Sequence, residues 1–338
     1  MPKRQAVLTF CLLIICALIF SGCKQPEPQT YSHDFFAMDT YITCKIVAPN
    51  QALAVQGLDR VEKVFVEIDH LTNRFNAESD IFVVNAMAGI APVKVSEDAF
   101  AIVENALLWW NKSGGAFNIL IGSVMNLWAF DSGKPTVPAR ADLQEALSKM
   151  DCSKIMLDAE QSTIFLTEKG MVIDLGGIAK GYATDKAIAA LKDLGINNAL
   201  INAGGNVCAL GTRADGTPWK VGVQDPRDPQ GIKAVLAAQD QALVSSGDYQ
   251  RYFEVNGMRY HHILDPSTGY PARASAGTTV IAESATIADI LSTALFIKGP
   301  LEGIEMAEHI EQVDAAMILT ADGGMAATSN LKKYIIEP

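Results

Sequence analysis

A carboxylate and a hydroxyl lie one helical turn apart in an apolar segment near the C-terminal end of the sequence. Asp289 is the only charged residue of segment 285–294, and Thr293 follows it in the same segment. In a helix the two side chains would share one face. A buried carboxylate needs a partner, and carboxylate and hydroxyl oxygens suit Mg²⁺. The pair therefore predicts a divalent-cation site, with an ion pair between Asp289 and an arginine as the structural alternative.

A second segment with chemistry to offer is 171–184. Its residue types predict a short buried strand over 171–175, then a glycine turn, then a helix over 179–191. Backbone amides at a helix start attract anions, and Lys180 at that point would meet a phosphate. A plain strand-to-helix connection in an α/β-type core is the alternative interpretation.

A third segment joins a histidine to a turn rich in hydroxyls. His262 comes shortly before the proline-containing stretch 265–269. A histidine on a rigid loop can act as an acid–base group, although a lone histidine is more often structural. Its neighbour His261 would point to the opposite face of the preceding strand, because side chains alternate along a strand.

A folded core must position these segments, and 49% hydrophobic content in 338 residues is enough to build a large one. Periodicity and capping residues predict helices over 52–71, 80–85, 96–113 and 142–150, and strands over 41–48, 155–157, 162–166 and 199–210. Gly204 and Gly205 interrupt the last strand, which indicates a bulge or close approach of a ligand. Strands and helices do not alternate regularly. The sequence therefore predicts an α+β fold, a mixed and largely antiparallel sheet with packed helices in a single elaborated domain.

Charge, repeats and cysteines narrow the class of protein further. The formal net charge of −11 argues against a nucleic-acid partner, and no repeat of solenoid length occurs. Cys44, Cys152 and Cys208 lie in the predicted domain, and none is spaced as a metal-binding pair. We therefore expect them to be small buried side chains, with one disulfide bridge as the alternative.

The N-terminus has the pattern of an export signal. Lys3 and Arg4 precede an apolar run over 6–20, and Ser21-Gly22-Cys23 follows it. This resembles a bacterial lipoprotein signal, in which the cysteine is lipidated and becomes the first residue. An uncleaved membrane anchor is the alternative.

The signal divides the chain into three parts. We expect a signal peptide over 1–22, a tether over 23–30 and the folded domain over 31–338. The expected location is the bacterial cell envelope, where the protein would be lipid-anchored to the membrane through Cys23 and would face the periplasm.

Together the motifs resemble the ApbE family, bacterial FAD:protein FMN transferases that are also called flavin transferases. The resemblance runs from Met38 to about Ser329 and rests on clusters in family order, which are Met38-Asp39-Thr40, 115–118, 174–182, 202–205, 246–249, 262–269 and Asp289 with Thr293. Each cluster is a weak signal alone, and their joint occurrence is specific. The fold implied is ApbE-like, also described as T-fold-like.

The resemblance implies a reaction. FAD would be cleaved at its pyrophosphate, FMN would be attached through a phosphoester to a threonine hydroxyl, and AMP would leave. The acceptor would be a subunit of a membrane redox complex, of the sodium-translocating NADH:quinone reductase or Rnf type. A metal, a lysine and backbone amides are the parts that such phosphate chemistry needs.

The resemblance also implies site residues. Asp289, Thr293 and the Gly177 carbonyl would bind Mg²⁺, and Asp289 and His262 would be catalytic, with His262 helping to activate the acceptor hydroxyl. The implied FAD-binding residues are Met38, Phe75, Ala116, Phe117, Asn118, Asp174, Lys180 and Ile263.

Some positions depart from the family pattern. The family usually has glycine at Asp39, aspartate at Asn118 and often aspartate at Asn206, and a tyrosine is common where Phe75 stands. Phenylalanine keeps the stacking area and loses a hydroxyl, so FAD binding should survive with a looser orientation. The alternatives are a periplasmic FAD pyrophosphatase, which yields FMN and AMP, a non-catalytic flavin-binding lipoprotein, and an assembly factor without flavin affinity.

Overall fold

The elements of the fold are taken from a computed structural model, which describes residues 28–130 and 133–337. In chain order its strands are β1 (Gln29–Ala37), β2 (Thr40–Ala48), β3 (Val93–Lys94), β4 (Ile155–Asp158), β5 (Thr163–Leu166), β6 (Ala199–Ala203), β7 (Asn206–Leu210), β8 (Trp219–Asp225), β9 (Asp228–Ala238), β10 (Gln241–Gly247), β11 (Tyr252–Val255), β12 (Met258–His261), β13 (Ser275–Ala282), β14 (Val313–Thr320), β15 (Met325–Ala327) and β16 (Ile335–Glu337). Its helices are α1 (Gln51–Thr72), α2 (Asp80–Ala86), α3 (Glu97–Lys112), α4 (Gly122–Trp128), α5 (Arg140–Leu147), α6 (Ala179–Asp193) and α7 (Ala285–Glu308). Short 3₁₀ turns span Ile119–Ile121, Cys152–Lys154 and Leu331–Lys333.

An eight-stranded antiparallel sheet forms the centre of the fold, in the order β1-β2-β6-β7-β10-β13-β14-β15. Its inner strands are apolar on both faces. In β10, for example, Ala242 and Val244 belong to one apolar layer and Leu243 to the other. Helices α1, α6 and α7 cover the first face, and a small sheet of β16, β9 and β8 covers the second. The predicted α+β fold, with a largely antiparallel sheet in a single domain, is confirmed.

The predicted helices form where side chains cap them and where an apolar stripe meets the sheet. Asn50 caps α1 through its side-chain oxygen, and Ser96 caps α3 through its hydroxyl. Along α1, Val61, Phe65 and Ile68 are fully or almost fully buried. The stripe therefore fixes which side of the helix faces the core.

Segment 199–210 is a hairpin, whereas the sequence predicted one interrupted strand. Strands β6 and β7 pair antiparallel, and Gly204 and Gly205 form the turn with φ angles of 61° and 94°. Positive φ at both turn positions suits glycine and matches the twist of the flanking strands. A Cβ atom on Gly204 would lie 2.2 Å from the Thr40 hydroxyl oxygen. The turn therefore packs against the β1–β2 turn.

Segment 171–175 is buried at alternate residues, but the prediction of a strand there is wrong. Its backbone is satisfied by a side chain. The Ile173 N–H donates to Asn85 Oδ1 at 2.7 Å, and Asn85 Nδ2 donates to the Ile173 carbonyl oxygen at 2.9 Å. The Asp174 N–H then donates to the Ile119 carbonyl oxygen at 2.7 Å. An amide side chain thus takes the place of a neighbouring strand.

Helices α6 and α7 approach closely because a glycine lies at their contact. A Cβ atom on Gly181 would lie 2.4 Å from the Ala285 carbonyl oxygen. Asp185, one turn later on α6, caps the start of α7. Its carboxylate accepts from the N–H groups of Ala285 and Thr286 at 2.8 and 2.9 Å and from the hydroxyls of Ser284 and Thr286. Negative charge is favourable at a helix N-terminus, so this carboxylate stabilises the start of α7 together with the N-cap residue Ser284.

The described chain starts close to the predicted tether. Strand β1 begins at Gln29, inside the segment 23–30 that the sequence assigns to the tether. The predicted signal peptide lies outside the described residues. No helix within 28–130 or 133–337 is long and apolar enough to cross a membrane. Cys44, Cys152 and Cys208 are buried free thiols, as predicted.

Asp185→Ala should destabilise the protein, because it leaves N–H groups at the start of α7 without their carboxylate partner. Loss of a charged cap costs about 1–3 kcal/mol of unfolding free energy, which urea or thermal unfolding at neutral pH would measure. Asp193→Ala is the matched control, since this exposed aspartate lies at the C-terminal end of the same helix. It should leave stability unchanged or slightly higher. Equal losses in the two variants would contradict the capping role.

Candidate active site

A cleft of about 860 Å³ opens at one end of the large sheet. The β1–β2 turn, the β6–β7 turn, the end of β10, the start of α6 and one face of α7 contribute to its walls. Every site residue that the sequence predicts within the described part of the chain lines this cleft: Met38, Phe75, Ala116, Phe117, Asn118, Asp174, Gly177, Lys180, His262, Ile263, Asp289 and Thr293. The predicted lipidation site, Cys23, lies outside the described residues.

Asp289 is a buried carboxylate at the contact between α6 and α7. It is 5% exposed, and its Oδ2 atom accepts a hydrogen bond from the Gly181 N–H at 2.9 Å. Burial raises the pKa of Asp289, and the positive charge of Lys180 and the Gly181 hydrogen bond oppose that shift. Within the described residues, the cation that favours the ionised carboxylate is Lys180 and not the arginine of the alternative interpretation. The Asp289 carboxylate thus lies near the positive N-terminal end of α6.

Gly177 and Thr293 come together beside Asp289. A Cβ atom built on Gly177 would lie 3.6 Å from the Thr293 hydroxyl oxygen and 3.0 Å from the Phe117 ring. Thr293 stands one turn after Asp289 on α7, so the two side chains share a helix face. The absence of a side chain at Gly177 therefore allows backbone, hydroxyl and ring to meet.

The chemistry of this donor set fits a divalent cation. A buried carboxylate, a hydroxyl and nearby backbone offer the oxygen ligands that Mg²⁺ prefers. The buried amide of Asn206 also favours the ionised form of Asp289 and lowers its pKa, yet neither polar atom of that amide has a hydrogen-bond partner of normal geometry among the described residues. No group of three or more His, Cys, Asp or Glu side chains in the described ranges could hold a metal ion. A cation here would therefore need backbone, hydroxyl, substrate or water oxygens as well.

Lys180 lines the cleft, and its positive charge acts on both the carboxylate and the histidine. Its Nζ atom donates to the Gly176 carbonyl oxygen at 2.7 Å. The charge lowers the pKa of Asp289 and contributes to the low pKa of His262. Lys180 thus favours an ionised Asp289 and a neutral His262.

His262 is held by one carbonyl group. Its backbone N–H donates to the Arg251 carbonyl oxygen at 3.1 Å, and its ring Nδ1 lies 3.2 Å from the same oxygen. Because a carbonyl oxygen only accepts, Nδ1 carries the hydrogen and Nε2 of the neutral ring keeps a lone pair. Burial, followed by the charge of Arg251, lowers the pKa of His262 to about 3. The ring is therefore neutral near pH 7 and can accept a proton at Nε2.

His261 faces away from the cleft, as predicted. Its side chain is buried, Nε2 lies 2.8 Å from the Ala272 carbonyl oxygen, and the ring meets Phe296 edge-on. Burial lowers the pKa of His261 to about 4. A side chain packed in this way supports the fold, so its replacement would alter stability as well as any chemistry nearby.

Two of the predicted FAD-binding residues also build the walls of the cleft. In Asn118, Oδ1 accepts from the Leu120 N–H and Nδ2 donates to the Met150 carbonyl oxygen, both at 2.8 Å. Met38 and Asp39 form the β1–β2 turn with φ angles of 53° and 55°. An aspartate tolerates this conformation less readily than a glycine. The Asn118 side chain is therefore held by hydrogen bonds to backbone groups, and the β1–β2 turn is defined by its backbone conformation.

Arg74 lines this cleft and was not assigned to the site by the sequence analysis. Its Nε atom lies 2.8 Å from Asp174 Oδ2, its Nη1 atom donates to Asn126 Oδ1 at 2.7 Å, and its guanidinium carbon lies 4.3 Å from the centroid of the Phe75 ring. The sequence signal is only its place beside Phe75 at the end of α1. An arginine there is equally typical of a solvated helix terminus.

Known proteins resemble this chain over a range that includes the cleft residues. A sequence model of the ApbE family matches residues 38–317. An FAD:protein FMN transferase of Treponema pallidum is 35% identical over 324 residues, 90% of this chain and 90% of the relative. One from Klebsiella pneumoniae is 34% identical over 294 residues, 86% of this chain and 90% of the relative.

Solved structures agree with the fold. The ApbE protein of Thermotoga maritima matches with a TM-score of 0.86 and 31% identity, over 91% of this chain and 100% of that one. The flavin transferase ApbE from Vibrio cholerae matches with a TM-score of 0.81 and 25% identity, over 91% and 99% of the two chains.

Fold, cleft and relatives together define an enzyme of the transferase class. The matched range includes the whole set of predicted cleft residues, from Met38 to Thr293. The chain belongs to the ApbE family.

Proposed function

We propose that the protein is an Mg²⁺-dependent FAD:protein FMN transferase, which cleaves FAD, attaches FMN to a threonine of an acceptor protein and releases AMP. The main support for this proposal is that one cleft contains a buried carboxylate, further oxygen atoms that could bind a metal, and a neutral histidine. The substrate FAD is inferred from the relatives, which are FAD:protein FMN transferases.

The proposed reaction is a phosphoryl transfer without oxidation or reduction. The threonine oxygen forms a bond to the phosphorus of the FMN half, and the bond from that phosphorus to the bridging oxygen breaks. AMP leaves with the bridging oxygen. The proton of the threonine hydroxyl passes to a base, and His262 Nε2 is the atom that we assign to this step.

The charge of the substrate would improve His262 as a base. Arg251 and Lys180 both act against protonation of this ring. The pyrophosphate of FAD is negatively charged and would offset these two positive charges. Substrate binding would therefore raise the pKa of His262 toward the range in which a general base is efficient.

The Asp289 carboxylate, the Thr293 hydroxyl and the Gly177 carbonyl are the groups that we propose hold Mg²⁺. The bound ion would neutralise negative charge on the phosphate oxygens. Lys180 and the first amides of α6 act in the same direction, because the N-terminal end of a helix is positive.

The cleft also has room for the rings of FAD. The volume of the whole cleft, about 860 Å³, lies within the usual range for small-molecule sites. We propose that the rings of FAD contact the apolar and aromatic residues of the predicted set, which are Met38, Phe75, Ala116, Phe117 and Ile263. The polar members, Asn118, Asp174 and Lys180, also line the proposed FAD site.

One experiment separates this function from its alternatives. The full-length protein in detergent would be incubated with FAD and Mg²⁺, with and without a candidate acceptor, and AMP, free FMN and protein-bound flavin would be separated. The proposed acceptor is a threonine-containing subunit of a membrane redox complex, of the sodium-translocating NADH:quinone reductase or Rnf type. AMP and bound flavin in equal amounts support transfer, whereas free FMN with AMP indicates a pyrophosphatase. Intact bound FAD indicates a carrier, and no bound flavin an assembly factor.

We also propose that the protein is lipid-anchored through Cys23 in the cell envelope and faces the periplasm. The support is the charged start, the apolar run and Ser21-Gly22-Cys23. Fractionation of cells should place the wild-type protein with membranes, and Cys23→Ser should lack the lipid adduct in a mass measurement. Unmodified wild-type protein in the cytoplasmic fraction would contradict this location.

Asp289→Ala should abolish metal-dependent FAD cleavage and leave a folded protein. Loss of the carboxylate removes a metal ligand, so the rate should fall by more than about a hundredfold. The stability of Asp289→Asn should equal or exceed that of the wild type, because burial of a charge is unfavourable. AMP release and thermal unfolding would be measured in chelator-treated buffer with Mg²⁺ restored. Asp193→Ala serves as the control, and a wild-type rate in Asp289→Ala would refute the metal assignment.

His262→Ala should bind FAD but transfer FMN slowly, because a positioned base contributes a factor of about 10²–10⁴ in rate. Binding and single-turnover transfer would be measured separately. His309→Ala, at an exposed position on the C-terminal end of α7, is a better control than the buried His261. Unchanged single-turnover transfer in His262→Ala would show that another group accepts the proton.

A further inference from the structure

The Phe75 ring and the Arg74 guanidinium pack together in the wall of the cleft. Phe75 lines the cleft and is 64% exposed. The Arg74 side chain against it is 10% exposed, and its guanidinium carbon lies 4.3 Å from the ring centroid. A guanidinium at this distance attracts the ring by a cation–π interaction. The rest of the ring remains accessible to a planar ligand.

The orientation of the Arg74 guanidinium is fixed by two polar contacts. Arg74 Nε lies 2.8 Å from Asp174 Oδ2, and Arg74 Nη1 donates to Asn126 Oδ1 at 2.7 Å. Asp174 is held in turn, since its Oδ1 accepts from the Gly176 N–H at 2.9 Å. Because a guanidinium is planar and rigid, two bonds at its edge determine the orientation of its face. That face determines the orientation of the ring stacked on it.

We propose that Arg74, with Asp174, is a positioning residue that sets the plane of Phe75 as a stacking platform for the isoalloxazine ring of FAD. This inference rests on the proposed function, which supplies FAD as the ligand. It replaces the expectation that phenylalanine loosens the orientation of the flavin. A tyrosine at position 75 would have a hydroxyl to anchor its ring, whereas here the guanidinium of the neighbouring Arg74 packs against the ring.

A double-mutant cycle tests the inference. Arg74→Met, Phe75→Leu and the double variant would be titrated with FAD in the presence of Mg²⁺ and without an acceptor. The readouts are FAD affinity and the visible circular dichroism of bound flavin, which reports how firmly the ring is held. Arg74→Met should bind FAD about fivefold to tenfold more weakly and should lose most of the dichroism, as Phe75→Leu does. The double variant should be no worse than the weaker single variant, because Arg74 acts through Phe75.

Two further variants separate positioning from general stability. Arg74→Lys keeps the charge beside Asp174 but lacks the planar face, so it should lose the dichroism like Arg74→Met. This variant completes the cycle if Arg74→Met does not fold. Arg259→Met is the matched control, since it removes a guanidinium 4.0 Å from the Tyr252 ring and neither residue lines the cleft. It should leave both readouts at the wild-type value.

The outcomes distinguish this inference from the function on which it rests. Additive losses in the cycle, or wild-type dichroism in folded Arg74→Lys, would overturn the positioning role and leave the proposed function standing. Absence of FAD binding by the wild-type protein would overturn the proposed function itself.

Discussion

A carboxylate buried between two helices is the constraint on which the rest of the structure depends. Desolvation disfavours the charged form of Asp289, so its ionised state requires compensation at short range. The Gly181 N–H supplies a hydrogen bond at 2.9 Å, and it can do so only because α6 and α7 come into contact at a residue without a side chain. The contact between α6 and α7 thus stabilises the buried carboxylate and places it in the wall of the cleft.

Antiparallel pairing explains why the cleft draws on residues that are far apart in the sequence. Each hairpin returns the chain to the end of the sheet from which it started. The β1–β2 turn, the β6–β7 turn and the end of β10 therefore lie side by side. Gly204 in one turn packs against Thr40 at the start of β2. The buried amide of Asn206, beside these turns, has no hydrogen-bond partner of normal geometry within the described ranges, a local cost of the kind that proteins carry at functional sites.

The sequence predicted the fold class and most helices, because these depend on local patterns. The family resemblance supplied site residues, and all of those within the described chain line the cleft. The failures have a different origin. Apolar segment 171–175 has the composition of a strand, but its partner is the Asn85 side chain 88 residues earlier. Two glycines within 199–210 fit a bulge or a turn equally well, and only the pairing of β6 with β7 decides. Arg74 was missed because its role depends on what the fold places around it.

Charge distribution links the two sides of the cleft. The chain as a whole is acidic, with a formal net charge of −11. The cleft is lined by both cations and carboxylates, which are Arg74, Lys180, Lys220 and Arg251 and Asp39, Asp69, Asp174 and Asp289. Positive neighbours favour the ionised form of a carboxylate and the neutral form of a histidine. Lys180 acts in this way on both Asp289 and His262. An ionised carboxylate is the form that binds a cation, and a neutral imidazole is the form that accepts a proton. Lys180, at the start of α6, therefore acts on both groups in favour of the charge state that the proposed reaction requires.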